Sequence, residues 1–214
     1  LAKKLGKDSV FLDGFRVTDK EMMNATEMVL SGSVNKDIVS RLNQNGVRAV
    51  GISGRDAKLV KAVQKSEKYG FVGEVTDVDA QLIYDLEDSG YVPVVPPVAE
   101  DEKGNAFNVN ADIVASEIAR KLKAKKLVLL TDVDGIFRDI KKPETLISSL
   151  NVKEAIRLIE EKIIVSGMLP KIRSCMDAIL GGVEKIHIIN GTLPHALLLE
   201  IFTKAGIGTQ IVRD

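Results

Sequence analysis

What most constrains this chain is a rhythm: apolar, β-branched runs alternate with helical patterns along most of its length. Such strand–helix–strand alternation predicts an α/β fold with a mainly parallel sheet. Parallel strands need right-handed helical crossovers, so helices should cover both sheet faces in a three-layer αβα sandwich. Ligands in such sheets bind outside the carboxyl ends of the strands. That rule singles out Ser53-Gly-Arg55, Pro96-Pro97, Asp132–Gly135 and Asn190–Thr192.

Composition narrows the partners. The 214 residues suit one large or two small domains, and 45% hydrophobic with 28% charged residues is ordinary globular composition. Thirty basic residues balance thirty acidic ones, and aromatics are limited to six Phe and three Tyr. A nucleic-acid binder is therefore not expected. No apolar run reaches about 18 residues, so no membrane span is expected. A single cysteine, Cys175, excludes a disulfide scaffold and fits a reducing cytoplasm. With only His187 and His195 beside it, no zinc site is expected. Cys175 falls at apolar helical spacing and reads as a buried small residue.

Local signals place the elements. Thr18-x-x-Glu21 reads as a capping box opening a helix, with Met22, Ala25, Thr26 and Val29 on one face. Ser33 is expected to cap a second helix that stops at Asn45-Gly46. Strands are expected over Val47–Ser53 and Tyr91–Val95, a helix over Asp77–Ser89, and hairpin material near Tyr69–Gly73. Asn110 is expected to open a helix running to Ala124. Lys126–Thr131, almost continuously apolar, predicts a strand buried on both faces. Helices over Asn151–Glu161, Leu169–Leu180 and Pro194–Ala205 alternate with strands over Lys185–Asn190 and Gly208–Val212.

Neither a Walker A motif nor G-x-G-x-x-G is present. Chemistry must sit elsewhere. Asn108-Val-Asn-Ala-Asp112 puts two amides and a carboxylate at a strand-to-helix junction, readable as a cap or as a polar binding corner. Thr131-Asp-Val-Asp-Gly135 ends a strand with two carboxylates, readable as a tight turn or as a nucleotide neighbourhood. Lys171 follows Gly167-Met-Leu-Pro at a helix start, where a cation opposes the dipole and an anionic ligand would reverse the cost. Arg16 precedes another helix start and is suited to clamping a carboxylate, or to an ordinary surface ion pair.

Taken in order, Gly14-Phe-Arg-Val-Thr-Asp19, Val34-Asn-Lys36, Gly70-Phe-Val-Gly-Glu-Val75, Asn108–Asp112, Thr131–Gly135, Gly167–Lys171 and Phe202–Thr209 resemble the amino-acid kinase family, on its branch acting on N-acetyl-L-glutamate. The resemblance implies phosphorylation of the γ-carboxylate of that substrate by ATP with Mg²⁺, in arginine biosynthesis. It implies that Arg16, Asn108 and Asn110 bind substrate, that Asp112 organises the catalytic lysines and that Lys171 stabilises the transferring phosphoryl group. Asp132, Val133, Asp134, Gly135, Ile136 and Phe137, with Ile163, Ile164 and Val165, would border ATP. It also implies two lobes, residues 1–124 for the acylamino acid and 125–214 for ATP.

The C-terminal stretch resembles the arginine-inhibited members, in which His187, Glu200 and Gly206 would hold L-arginine. Homo-oligomers, dimeric or hexameric with an N-terminal helix, and a nitrogen-signalling protein partner are further implications. The family's opening Lys-x-Gly-Gly and His-Gly-Gly-Gly-Pro segments are not found in this sequence. The polypeptide is accordingly expected to be inactive or nearly so. Kinases of acetylated aminoadipate or aspartate, and a non-catalytic arginine- or partner-binding fragment, are the competing readings.

Overall fold

In the computed structural model, residues 10–12, 15–165, 167–203 and 206–214 are described. The expected positions Gly14, Ser166, Lys204 and Ala205 lie outside them. The chain divides into two compact units, residues 1–114 and 115–214, and the division falls inside a helix.

The first unit opens with a short antiparallel pair, β1 (Phe11–Leu12) and β2 (Phe15–Arg16). Helix α1 (Lys20–Glu27) follows. Its cap is Asp19 rather than Thr18: the Asp19 carboxylate accepts from the Met22 N–H at 2.7 Å. Thr18 is wholly buried, and its hydroxyl is taken up by Arg16 O and Asn108 Nδ2 instead of capping the helix. The chain then continues without a break through a π-helical stretch (Met28–Val34) into α2 (Asn35–Gln44). Ser33 therefore caps nothing. Instead the buried Asn35 reaches out of the helix, donating from Nδ2 to Val94 O at 2.8 Å and to Ile52 O at 3.4 Å. Gly46, with φ of 81°, ends the helix as expected.

Strand β3 (Ala49–Gly51) pairs in parallel with β6 (Val92–Val94). The ambiguous middle is a hairpin of β4 (Val60–Gln64) and β5 (Gly73–Val78), with α3 (Gln81–Asp88) beginning only after it. Asp77 and Val78 thus belong to a strand, not to the helix expected there. β7 (Val98–Glu100) and β8 (Ala106–Asn108) flank the Lys103-Gly-Asn turn and complete a sheet of order β5-β4-β7-β8, in which β4 and β7 run parallel. Met23, Leu59, Val60, Val78 and Val98 form its buried interior. Asn110 then opens α4 (Ala111–Leu122), its Oδ1 accepting from the N–H groups of Asp112 (2.9 Å) and Ile113 (3.2 Å).

The second unit is built on a sheet of order β12-β14-β13-β9: β9 is Leu127–Thr131, β12 Ser149–Asn151, β13 Lys185–Asn190 and β14 Thr209–Val212. β9–β13 and β12–β14 are parallel, β13–β14 antiparallel. The strand buried along nearly its whole length is β13, not β9: Ile186, His187, Ile188 and Ile189 are all buried. Leu130 of β9 is 58% exposed, because β9 is an edge strand among the described residues. A two-residue ribbon, β10 (Ile136–Phe137) with β11 (Leu146–Ile147), is antiparallel.

Helix α5 (Val152–Glu160) begins with a reciprocal capping box between Asn151 and Glu154 and buries Ala155 and Leu158. Helix α6 (Met168–Leu180) carries Pro170 in its first turn and buries Ile172, Cys175 and Ile179, i, i+3 and i+7 on one face. Ile172 and Ile179 each contribute about 1.5–3 kcal/mol when fully buried. Cys175 is a wholly buried thiol, as its spacing predicted. Helix α7 is shorter than expected, Ala196–Phe202.

Candidate functional site

Three hollows gather the residues singled out above. In the second unit, a cavity of about 780 Å³ opens beyond the carboxyl end of β9. Its lining includes Thr131, Asp132, Val133, Gly135, Ile136 and Phe137 from one loop, Ile163, Ile164 and Val165 from the segment before α6, and Lys171 from α6 itself. The loop is shaped by Thr131, whose hydroxyl accepts from the Val133 N–H at 2.9 Å. Asp134 does not line this cavity; its carboxylate instead accepts from Asn190 Nδ2 at 2.7 Å. Lys171 stands one residue after Pro170 at the helix start, and no acidic residue occupies that first turn. The result is an apolar-walled hollow of nucleotide size with positive charge concentrated at a helix N-terminus.

In the first unit, a smaller cavity of about 280 Å³ places Arg16 and Asn108 together with Met22, Ala25, Thr26, Val29 and Leu30 of α1 and the π stretch. Asn108 is held here by its strand and by a 3.4 Å contact from Nδ2 to the buried Thr18 hydroxyl. Thr18 in turn donates to Arg16 O at 2.8 Å. The guanidinium of Arg16 also lies 4.9 Å from the Phe11 ring centroid. Asn110 and Asp112 do not line this cavity. Asn110 is engaged as the helix cap, and Asp112 sits in the first turn of α4.

The third hollow, about 550 Å³ in the second unit, contains His187, Glu200 and Gly206, with Lys126, Lys185, Ser149 and Gln210. Glu200 is 6% exposed, yet its carboxylate is well supplied with donors. Lys126 Nζ approaches Oε1 at 2.9 Å, His187 Nδ1 meets the same oxygen, and the Ile207 N–H donates to Oε2 at 3.1 Å. Burial alone would raise the Glu200 pKa. The Lys126 ammonium, the Ile207 N–H and His187 outweigh it and hold the group below its ordinary range. Burial pushes the His187 imidazole below its ordinary value, and Lys126 and Lys185 add to that against the pull of Glu200. The ring meets Glu200 through Nδ1 and leaves Nε2 buried with no hydrogen-bond partner among the described residues.

Sequence reasoning missed several lining residues. Met22, Ala25 and Val29 look like an ordinary buried helix face, and nothing in their spacing distinguishes a cavity wall from a core. Lys126 directly precedes β9 and Lys185 opens β13, and their shared focus on one pocket exists only once β9 and β13 pair.

Residues 1–190 match the amino acid kinase family, and the chain belongs to that family. Its relatives within it include the acetylglutamate kinase of a Synechococcus species, 52% identical over 98% of this chain and 70% of that protein. The acetylglutamate kinase of Methanocaldococcus jannaschii is 49% identical over 99% of this chain and 75% of its own length. Among solved structures, N-acetylglutamate synthase from Neisseria gonorrhoeae, complexed with coenzyme A and N-acetyl-glutamate, is 29% identical with a TM-score of 0.84. That match covers 99% of this chain and 48% of the synthase. The same synthase complexed with coenzyme A and L-arginine is 28% identical with a TM-score of 0.77, over 100% of this chain and 50% of the synthase. Among the described residues, no helix is long and apolar enough to cross a membrane.

Proposed function

We propose that the protein transfers the γ-phosphoryl group of ATP to the γ-carboxylate of N-acetyl-L-glutamate, releasing ADP and the acyl phosphate. One P–O bond to the β-phosphate breaks and one P–O bond to the carboxylate forms, so no proton need be moved. The observation that carries this reading is the cavity that joins Lys171 at a helix start to the Thr131–Phe137 loop and an apolar wall. The acetylglutamate kinases at about half identity give the acceptor its identity.

The chemistry suits the residues. Phosphoryl transfer is driven by positioning and by neutralising charge on the equatorial oxygens. Lys171 and the N-terminus of α6 deliver both charge and dipole to one place. Ile163, Ile164, Val165 and Phe137 suit a flat base. Mg²⁺ carried in with the nucleotide adds further neutralisation. Arg16 clamps a carboxylate of the acceptor and Asn108 fixes its amide, with Met22 and Val29 supplying an apolar surface for a methyl group. The family resemblance gives Asp112, in the first turn of α4, an organising part in the reaction.

Calorimetric titration tests the acceptor. N-acetyl-L-glutamate should bind, with acetylated aminoadipate and aspartate at least tenfold weaker, and Arg16→Ala should abolish the preference. Tighter binding of either competitor would overturn the assignment.

A second reading is favoured by one specific observation, the donor-rich carboxylate of Glu200 beside the unpartnered His187 Nε2. A carboxylate matches a guanidinium fork. We infer that this pocket takes L-arginine as an inhibitor. Heats of arginine binding that are equal for the unmodified chain and Glu200→Ala would end that reading.

A further inference from the structure

Arg16 and Asn108, the two polar grips of the first-unit cavity, lie on strands of separate sheets, β2 and β8. What joins them is the connection of the β4–β5 hairpin. The Thr18 N–H donates to Tyr69 O at 3.0 Å, and the Phe71 N–H donates back to Thr18 O at 2.6 Å. On the other side the Asn108 N–H donates to Phe71 O at 2.9 Å, and Val72 bridges in parallel to Asn108. Residues 69–72 thus form a rung between the two grips, and two strand spacings of about 4.8 Å each set the distance across it. Neither Gly70 nor Phe71 lines the cavity.

The rung admits little adjustment. Gly70 has φ of 67°, on the left-handed side that favours glycine, and a Cβ there would overlap the Thr18 carbonyl oxygen. Gly73, three residues on, is as tightly set: a Cβ there would lie 2.7 Å from Phe107 Cβ. The Phe71 ring packs against the buried Met23, Val98 and Ala106. Its centroid stands 6.3 Å from that of Phe107 and 5.1 Å from Lys20 Nζ. Gln64 Nε2 also donates to Gly70 O at 2.9 Å. Close packing of this kind transmits a displacement instead of absorbing it. The Thr18 hydroxyl donates to Arg16 O, so whatever moves Thr18 moves the Arg16 backbone.

We propose that Gly70 and Phe71 are positioning residues: their rung sets the pitch between Arg16 and Asn108, and through it the preference of the cavity for an N-acylated α-amino acid over the free amino acid. This rests on the reading of the cavity as the acceptor site. In an N-acyl-α-amino acid the carboxylate and the acyl amide branch from one carbon, so covalent geometry fixes their separation. Such a ligand meets both grips at once only where the grips are held at a matching distance beforehand. A free amino acid has no acyl carbonyl and gains nothing from the match.

The experiment compares calorimetric Kd values for N-acetyl-L-glutamate and L-glutamate. The unmodified chain should prefer the acetylated ligand by about tenfold or more, the worth of one well-placed hydrogen bond. Gly70→Ala should cut that ratio below about threefold, chiefly by weakening N-acetyl-L-glutamate. Gly46→Ala is the control. It too burdens a left-handed backbone, φ 81°, but with nothing within 4 Å of the new Cβ, and it should keep the ratio. A purely structural defect would lower thermal stability without moving the ratio. Amide exchange in the unmodified chain covers the case in which Gly70→Ala does not fold. Saturating N-acetyl-L-glutamate should slow exchange at Phe71, which does not line the cavity, by about tenfold or more. If Gly70→Ala keeps the full ratio, or if the bound ligand leaves Phe71 exchange unchanged, the spacer is overturned and the acceptor reading stands. If N-acetyl-L-glutamate does not bind the unmodified chain, both fall together.

Discussion

The Lys171 cavity and the Glu200 pocket each take a residue from one two-residue ribbon, Phe137 for the first and Leu146 for the second, and they handle charge in opposite ways. The cavity concentrates positive charge at a helix start, where the dipole and the lysine reinforce each other. The pocket buries a carboxylate and surrounds it with an ammonium, an imidazole and a backbone N–H. The first arrangement gains most when an anion arrives. The second is already largely satisfied, so a cationic ligand must compete with Lys126 and His187 for the Glu200 oxygens. The contrast teaches that a cation set in the field of a helix start favours anions, whereas a buried carboxylate needs donors from its own fold to stay charged.

The sharpest way to break this comparison is to remove the Lys171 charge. In a chain carrying the family's Lys-x-Gly-Gly and His-Gly-Gly-Gly-Pro segments ahead of residue 1, Lys171→Ala should lower turnover by about 10²–10³-fold, the usual cost of losing one preorganised charge stabiliser. Capture of the acyl phosphate as a hydroxamate measures this, and ADP binding should fall much less. A loss confined to nucleotide affinity would place Lys171 in ground-state binding instead.

In the pocket, Glu200→Ala should weaken arginine by about 10- to 100-fold, the equivalent of one charged hydrogen bond of about 1.5–3 kcal/mol. Lys126→Met sharpens the point. If Lys126 only competes for Glu200, arginine should bind more tightly to that variant; weaker binding would show that Lys126 contributes to holding the ligand.

A backbone prediction comes next. Gly208→Ala should destabilise the second unit by more than about 1 kcal/mol, since a Cβ there meets Ile188 O and the backbone is left-handed. Gly167→Ala, where a Cβ meets nothing within 4 Å, should be nearly neutral. Thermal unfolding of the two variants compares them directly.

The smallest effect expected is on pH. The His187 pKa is lowered on folding, so the unfolded chain takes up a proton near the ordinary value of 6.5 before the native state does. Stability should therefore fall as pH drops below about 6.5. The Glu200 pKa is also lowered, which adds a second loss as pH falls below 4.5. His187→Gln should flatten the upper part of that profile and leave the lower part. An unchanged profile in the variant would assign the acid sensitivity elsewhere.

How far all this could be read from residues alone differs between elements. Helix α5 was legible because its signals are local: a capping box between Asn151 and Glu154 and an amphipathic repeat in one short segment. The Thr131–Gly135 loop and Lys171 were legible for a related reason, since one follows a strand and the other opens a helix, whereas Ile163, Ile164 and Val165 came from the family resemblance alone. The first helix misled because Thr18 and Asp19 are both competent caps. The Thr18 hydroxyl is taken by Arg16 O and by Asn108, 90 positions along the chain, which leaves Asp19 as the cap. The burial expected of β9 went instead to β13, because an apolar run records that a strand prefers cover without recording which neighbour provides it. Asp134 turned away from the cavity toward Asn190 for a similar reason, its partner lying 56 positions along the chain.

The order of residues by itself determined the alternation of strand and helix, the helix start at Pro170 and the family to which the chain belongs. All of these follow from backbone preferences and side-chain periodicity within a few turns or strands. Only the tertiary structure decided that Phe137 and Leu146 would back onto two different hollows, that Thr209 would reach Ile136, and that Glu200 would be buried among Lys126, His187 and the Ile207 N–H. Those contacts join segments far apart in the chain, and their strength depends on the burial that packing creates, which no local pattern encodes.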